Sequence, residues 1–148
     1  MRDAQVRLIT SADVEAIVET QNACPEIAQW TTWDYDRVAR GEMAGWVAED
    51  AGGVRGFLVA RRVAAELEIL NFAVRADSRR RGIGRALLHA ALDWGKSFHA
   101  EKAMLEVRAS NLAALCFYER FDFQVAGRRL RYYASPVEDA LLLTAPVI

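Results

Sequence analysis

A chain of 148 residues with 53% hydrophobic and 26% charged side chains is long enough for one domain, residues 1–148, with a proper buried core. Its 19 basic and 20 acidic residues leave a net charge of −1, which speaks against a general nucleic-acid surface. No apolar run approaches the ~20 residues that span a bilayer, and MRDAQVRLIT lacks the apolar core of a secretory signal, so a cytoplasmic location away from membranes is expected.

VRLIT (6–10) begins as a short strand. Val14, Ile17, Val18 and Gln21 then fall at helical spacing, with Thr10 or Ser11 as the cap, and Cys24-Pro25 ends that helix. IAQWTTWDY (27–35) reads as a surface loop leading into a second short helix. WVAED (46–50), the turn Ala51-Gly52-Gly53 and VRGFLVARRV (54–63) form a hairpin, followed by the strand LEILNFAV (67–74). From Gly82 to Phe98 a long helix carries Ile83, Leu87, Ala91, Trp94 and Phe98 on one stripe, with Arg85, His89, Asp93 and Lys96 away from it. AMLEV (103–107) is a strand, ASNLAALCFYERF (109–121) a helix, and FQVAGRRLRYY (123–133) and DALLLTAPV (139–147) two closing antiparallel strands. The order β-α-α-β-β-β-α-β-α-β-β predicts an α/β chain with a mixed, mostly antiparallel sheet of about seven strands and flanking helices.

The turn before the long helix stands out. Between Arg75 and Arg85 five arginines face one acid, Asp77. A helix N-terminus offers unpaired N–H groups and partial positive charge, and glycines let a ligand approach the backbone. Two readings stand here: a diphosphate site built on Arg79, Arg80, Arg81, Gly82, Ile83, Gly84 and Arg85, or a solvated basic turn. A dinucleotide fingerprint fits less well, because Leu87 holds its last glycine position and seven residues separate Val74 from Gly82. A P-loop fits less well too, since Gly-Lys-Ser or Gly-Lys-Thr is absent. Cys24 and Cys116 lie in no metal-ligand spacing, and Cys116, among apolar residues, reads as a buried small hydrophobe. His89 lies opposite the apolar stripe, and no metal site is expected.

LEILNFAV, the spacer RADS and Arg79-x-x-Gly82-x-Gly84 resemble the acetyl-CoA-binding motif of the GNAT N-acetyltransferases. LEVRASNLAALCFYERFDF (105–123) resembles the second half of that family's cofactor site, and the likeness continues through RRLRYY and EDALLL. Within the family, LEVRASN, the aromatic-Tyr-Glu that follows and the YY…EDA ending are most similar to the bacterial ribosomal-protein alanine N-acetyltransferases. The resemblance implies acetyl-CoA as co-substrate and a protein N-terminus as acceptor. It also implies Glu106 as proton acceptor, Tyr118 as donor to the leaving thiolate, Asn111 as a cofactor contact and an oxyanion N–H where Phe72, Ala73 and Val74 end their strand. Trp30, Tyr132 and Tyr133 are the expected substrate walls.

Each residue also has a plain structural role to set beside this one. Glu106 could pair with Arg108 on a solvated face, Tyr118 could be a core tyrosine, Asn111 an N-cap, and the three aromatics ordinary core or interfacial side chains. A small-amine acetyltransferase, for which Glu26, Asp34, Asp36 and Glu138 would supply an acidic pocket, and a non-catalytic acyl-CoA sensor are the competing functions. One departure from the family pattern is Asp122, which stands where the Tyr-Glu-x-x-Gly-Phe ending has glycine. The other is CPEIAQW, a loose match to the bacterial enzymes' Pro-Trp-Ser segment.

Overall fold

The computed structural model describes residues 4–148. Its elements follow the expected order: β1 (Gln5–Leu8), α1 (Val14–Asn22), α2 (Thr32–Ala39), β2 (Ala44–Asp50), β3 (Gly53–Val63), β4 (Glu66–Val74), α3 (Ile83–Ser97), β5 (Lys102–Arg108), α4 (Leu112–Glu119), β6 (Gln124–Ala134) and β7 (Val137–Pro146). Hydrogen bonding orders the strands β1-β2-β3-β4-β5-β7-β6. The β4–β5 ladder is parallel, whereas β1–β2, β2–β3, β5–β7 and β6–β7 are antiparallel, which is the mixed sheet the pattern predicts. Two compact units divide the chain. One runs to Arg61 and resumes over Ile69–Trp94; the other takes Arg62–Glu68 and Gly95–Ile148.

The first unit is organised around Ile9, Val14, Ile17, Tyr35, Val38, Val47, Phe57 and Val59, all buried. Tyr35 meets Phe57 edge-on at 5.5 Å between centroids, a favoured aromatic geometry. The predicted α3 stripe is buried at Ile83, Leu87 and Ala91, and Leu88 widens it. Leu87 and Leu88 are fully buried, each contributing roughly 2 kcal/mol. Gly56 fits where β3 crosses close to the end of β4, since a Cβ there would lie 2.9 Å from the Ala73 carbonyl oxygen. Arg7 of β1 ties this unit together. Its guanidinium reaches both Asp13 oxygens at 2.8 Å and both Glu49 oxygens at 2.7 and 3.0 Å.

In the second unit β5 and β7 pair without slippage from Lys102↔Pro146 to Arg108↔Ala140. Leu67, Ala103, Leu105, Val107, Phe123, Ala140, Leu143 and Ala145 are buried within it. Helix α4 is shorter than its sequence pattern suggests. Asn111 caps it by accepting the Ala114 N–H at 3.2 Å, which stops it from starting at Ala109, and Asp122 at φ +66° turns the chain out of it. Cys116 corrects an expectation, because it is exposed rather than buried. It follows Leu112, 69% exposed, by one helical turn on the outward face, while Tyr118 takes the inward one.

Two stability predictions follow from these contacts. The Asp13 carboxyl is held below its ordinary value, chiefly by hydrogen bonds from Arg7. Such a group contributes stability that is complete above its unfolded value near 3.8 and is lost as pH falls through the lower folded value. Urea unfolding of Asp13→Asn should therefore show a loss of about 2 kcal/mol at pH 7 and a flatter decline in acid. At Asp122 the left-handed backbone tolerates Asp and suits Gly, so Asp122→Gly should keep near wild-type stability while Asp122→Val loses about 1–3 kcal/mol.

Candidate active site

Between β4 and α3 the chain makes a 3-10 turn at Ala76–Ser78, then passes Arg80 at φ +63° and Gly82 at φ +79°. The first helical bond runs from the Ala86 N–H to the Gly82 carbonyl at 3.0 Å, so the preceding N–H groups lie ahead of the helix's own ladder. A Cβ on Gly82 would meet nothing within 4 Å; the position is open, and its φ disfavours any L side chain.

The five arginines are not equivalent. Arg75 pairs with Asp77 at 3.5 Å and Arg81 with Asp50 at 3.2 Å. Arg79 turns back: its Nε donates to the Val74 carbonyl at 3.2 Å, and its guanidinium lies 3.8 Å from both Cys24 Sγ and Glu26. Arg80 and Arg85 are exposed and make no ion pair among the described residues. These two cations and the open amides before α3 are the components that fit an anionic diphosphate.

In the second unit, register sets Glu106 of β5 opposite Leu142 of β7. Glu106 Oε1 receives Arg129 Nε at 3.0 Å, while Oε2 is buried and accepts no hydrogen bond among the described residues. Arg108, the alternative partner expected from sequence, pairs instead with Glu138 at 3.3 Å and stacks over Tyr133 at 4.3 Å. The β6–β7 register slips between Arg129 and Tyr133, where Arg131 adopts φ +51° and donates its N–H to Asp139 at 2.9 Å. Arg129, paired with Ala140, borders this bulge and Tyr132 lies within it, and their guanidinium and ring lie 5.6 Å apart. The Glu106 charge is the main cause that pushes the Tyr132 phenol up. Burial, then the same charge, pushes Tyr133 up to about 12. Glu106, Tyr132 and Tyr133 are thus brought together.

Tyr118 is buried on α4 between Phe117 at 5.3 Å and Phe123 at 5.4 Å, and burial raises its phenol well above the ordinary value. Asn111 has the capping role, which occupies its amide oxygen with Ala114. Of the Phe72-Ala73-Val74 segment, the Phe72 N–H is taken by Asn71 Oδ1 at 3.2 Å, and the Val74 carbonyl by Arg79.

Trp30 is half-buried, its ring 5.5 Å from Tyr35. Its backbone N–H and carbonyl are both bonded at 2.8 Å by the Gln21 side chain. Sequence reasoning missed Gln21, Tyr35 and Asn71 as a set. The available signals were an amide on the apolar stripe of α1 and an asparagine at an inward position of β4. The Thr31-x-x-Asp34 capping box that starts α2 was legible in TTWD and likewise passed over.

Comparison with known proteins gives this arrangement a family. Residues 11–123 match the Acetyltransferase (GNAT) family. The ribosomal protein bS18-alanine N-acetyltransferase of Escherichia coli (strain K12) is 37% identical over 98 residues; the match covers 65% of this chain and 66% of that protein, just under two thirds of its length. An N-alpha-acetyltransferase of Sulfurisphaera tokodaii is 30% identical over 160 residues, covering 99% of this chain and 95% of that one. The crystal structure of the ribosomal-protein-S18-alanine N-acetyltransferase from Escherichia coli is similar with a TM-score of 0.84 at 26% identity, over 97% of this chain and 94% of that one. The chain belongs to the GNAT family of N-acetyltransferases.

Proposed function

We propose that this protein transfers the acetyl group of acetyl-CoA to the α-amino group of a protein N-terminus, an alanine-type N-terminus of a ribosomal protein, in the cytoplasm. The names of its relatives supply the acceptor class. Glu106 Oε2 carries the chemistry: a buried carboxylate oxygen without a donor among the described residues suits the proton of an incoming amine. An N-terminal amine, with pKa about 7.7–8.0, needs only a modest base, whereas a lysine amine near 10.4 would be harder by about 3 kcal/mol.

The amine nitrogen attacks the thioester carbonyl, its proton passes to Glu106, and the C–S bond breaks. Tyr118 serves the departing sulfur. Its raised pKa keeps the phenol protonated through the neutral range. A thiolate whose conjugate acid lies near 8.5 is a weaker base than such a phenolate, so Tyr118 supports the departing sulfur by a hydrogen bond that strengthens as charge grows there, and CoA leaves as the thiolate and takes its proton from solvent. Arg80, Arg85 and the open Gly82–Arg85 backbone hold the CoA phosphates, with Phe72, Ala73 and Val74 along the pantetheine arm.

A small cationic amine fits less well. Of the four acidic residues that would form its pocket, Glu26 lies against Arg79, Asp34 is occupied in the Thr31 cap, and Glu138 is bonded to Arg108 and the Ser110 N–H.

With acetyl-CoA and an alanine-first peptide, stopped CoA-release assays should show Glu106→Gln and Tyr118→Phe each losing about 100-fold in kcat while CoA affinity by calorimetry stays near wild type. Full kcat in Tyr118→Phe would remove the phenol from the chemistry, and indifference to Glu106→Gln together with CoA binding but no turnover would mark a sensor. For the wild type, kcat/KM should climb from pH 6 to 8 as the amine deprotonates, with no fall attributable to Tyr118 below about pH 10. Gly82→Val should do the converse of the catalytic variants: CoA binding weakens by about tenfold or more, because a branched side chain enters the open cradle at a disfavoured φ.

A further inference from the structure

We propose that Gln21, Tyr35 and Asn71 act together as positioning residues that fix the 23–31 loop in the shape that receives the peptide N-terminus; this rests on the acceptor being a peptide, as argued above. The three side chains come from α1, α2 and β4, and all are buried, at 2%, 0% and 4% exposure. Each polar atom has a defined task. Gln21 Nε2 donates to the Trp30 carbonyl and Gln21 Oε1 accepts the Trp30 N–H, so the side chain mimics a neighbouring strand for one residue. The Tyr35 hydroxyl donates to the same Oε1. Asn71 Nδ2 donates to the Tyr35 hydroxyl at 2.9 Å and to the Ala28 carbonyl at 3.0 Å, and its Oδ1 accepts the Phe72 N–H at 3.2 Å.

A core that only needed filling would hold apolar side chains at these positions, because a buried polar network is tolerable only when every member is satisfied. Here every bond outside the trio ends on the backbone of Ala28, Trp30 or Phe72. Asn71 therefore links the loop bearing Trp30 directly to the start of the Phe72–Val74 segment. The loop has little regular structure of its own: the Ile27 N–H closes one turn on the Cys24 carbonyl at 3.3 Å, Gln29 bonds back to the Cys24 and Ile27 carbonyls, and Ala28 and Trp30 are held by Asn71 and Gln21. A receiving surface preset in this way needs no ordering when substrate arrives, and that advantage appears in KM for the peptide.

The test uses Tyr35→Phe, which removes one hydroxyl and keeps the ring, and Gln21→Met, which keeps the length of the side chain and removes its amide. In steady-state assays with an alanine-first peptide, each should raise the peptide KM about tenfold, while the acetyl-CoA KM stays within about twofold and kcat falls by less than about threefold. A purely structural trio would lower Tm and leave the peptide KM unchanged, and that result overturns the proposal. Amide hydrogen exchange separates this outcome from failure of the proposed function. If the wild type turns over no N-terminal peptide, the function is wrong, yet the Trp30 amide should still exchange about tenfold faster in Gln21→Met with α3 amides unaffected. Unchanged Trp30 exchange would overturn the loop-setting role whatever the substrate.

Discussion

Pairing of a partly exposed carboxylate with a cation organises the surroundings of Glu106 in the second unit, where Arg129 Nε lies 3.0 Å from Oε1. The unbroken β5–β7 register fixes where the side chain leaves the sheet. The irregular β6–β7 register does the opposite work: Arg129 is the last paired residue before the slip and reaches Glu106, and Tyr132 lies within the slipped stretch beside it. Asp139 makes this slippage affordable by collecting the Arg131 N–H and the Arg128 guanidinium at 2.9 and 2.6 Å. One oxygen of Glu106 thereby receives a cation, and the other is buried with no hydrogen-bond partner among the described residues. Regular and irregular pairing on the two sides of β7 thus have complementary purposes.

The first unit solves a different electrostatic problem. Its arginine cluster is dense in sequence but sparse in free charge, because Asp77, Asp50 and Glu26 each take one member. What stays without an ion pair among the described residues is Arg80 and Arg85, beside a stretch of backbone where Arg80 and Gly82 adopt positive φ ahead of the first helical bond. Arg79 is the instructive case. Its position in the motif suggests a phosphate ligand, yet its guanidinium braces the end of β4 and the residues after α1.

The order of the elements was legible, because long stripes such as Ile83–Leu87–Ala91 and the strand alternation of LEILNFAV are written locally; the start of α2 was not, since residues 32–35 of the expected surface loop are helical and Tyr35 is buried. Glu106 and Tyr118 could be named from LEVRASN and the following aromatic-Tyr-Glu, since the resemblance is carried by consecutive residues. Features that depend on distant partners were not legible. Nothing near Arg79 in sequence announces Glu26, and nothing near Asn71 announces Ala28 and Tyr35, 43 and 36 residues away. Cys116 misled because an apolar neighbourhood in sequence gives no helical face; α4 turns Leu112 and Cys116 outward together.

That outward turn has a practical side. Of the two thiols, Cys24 is buried and Cys116 is exposed. A maleimide dye added to the unmodified protein would thus attach at one place, on the opposite face of α4 from Tyr118. The chain comes with its own handle for a fluorescent reporter on that helix, and no cysteine needs to be engineered in or out.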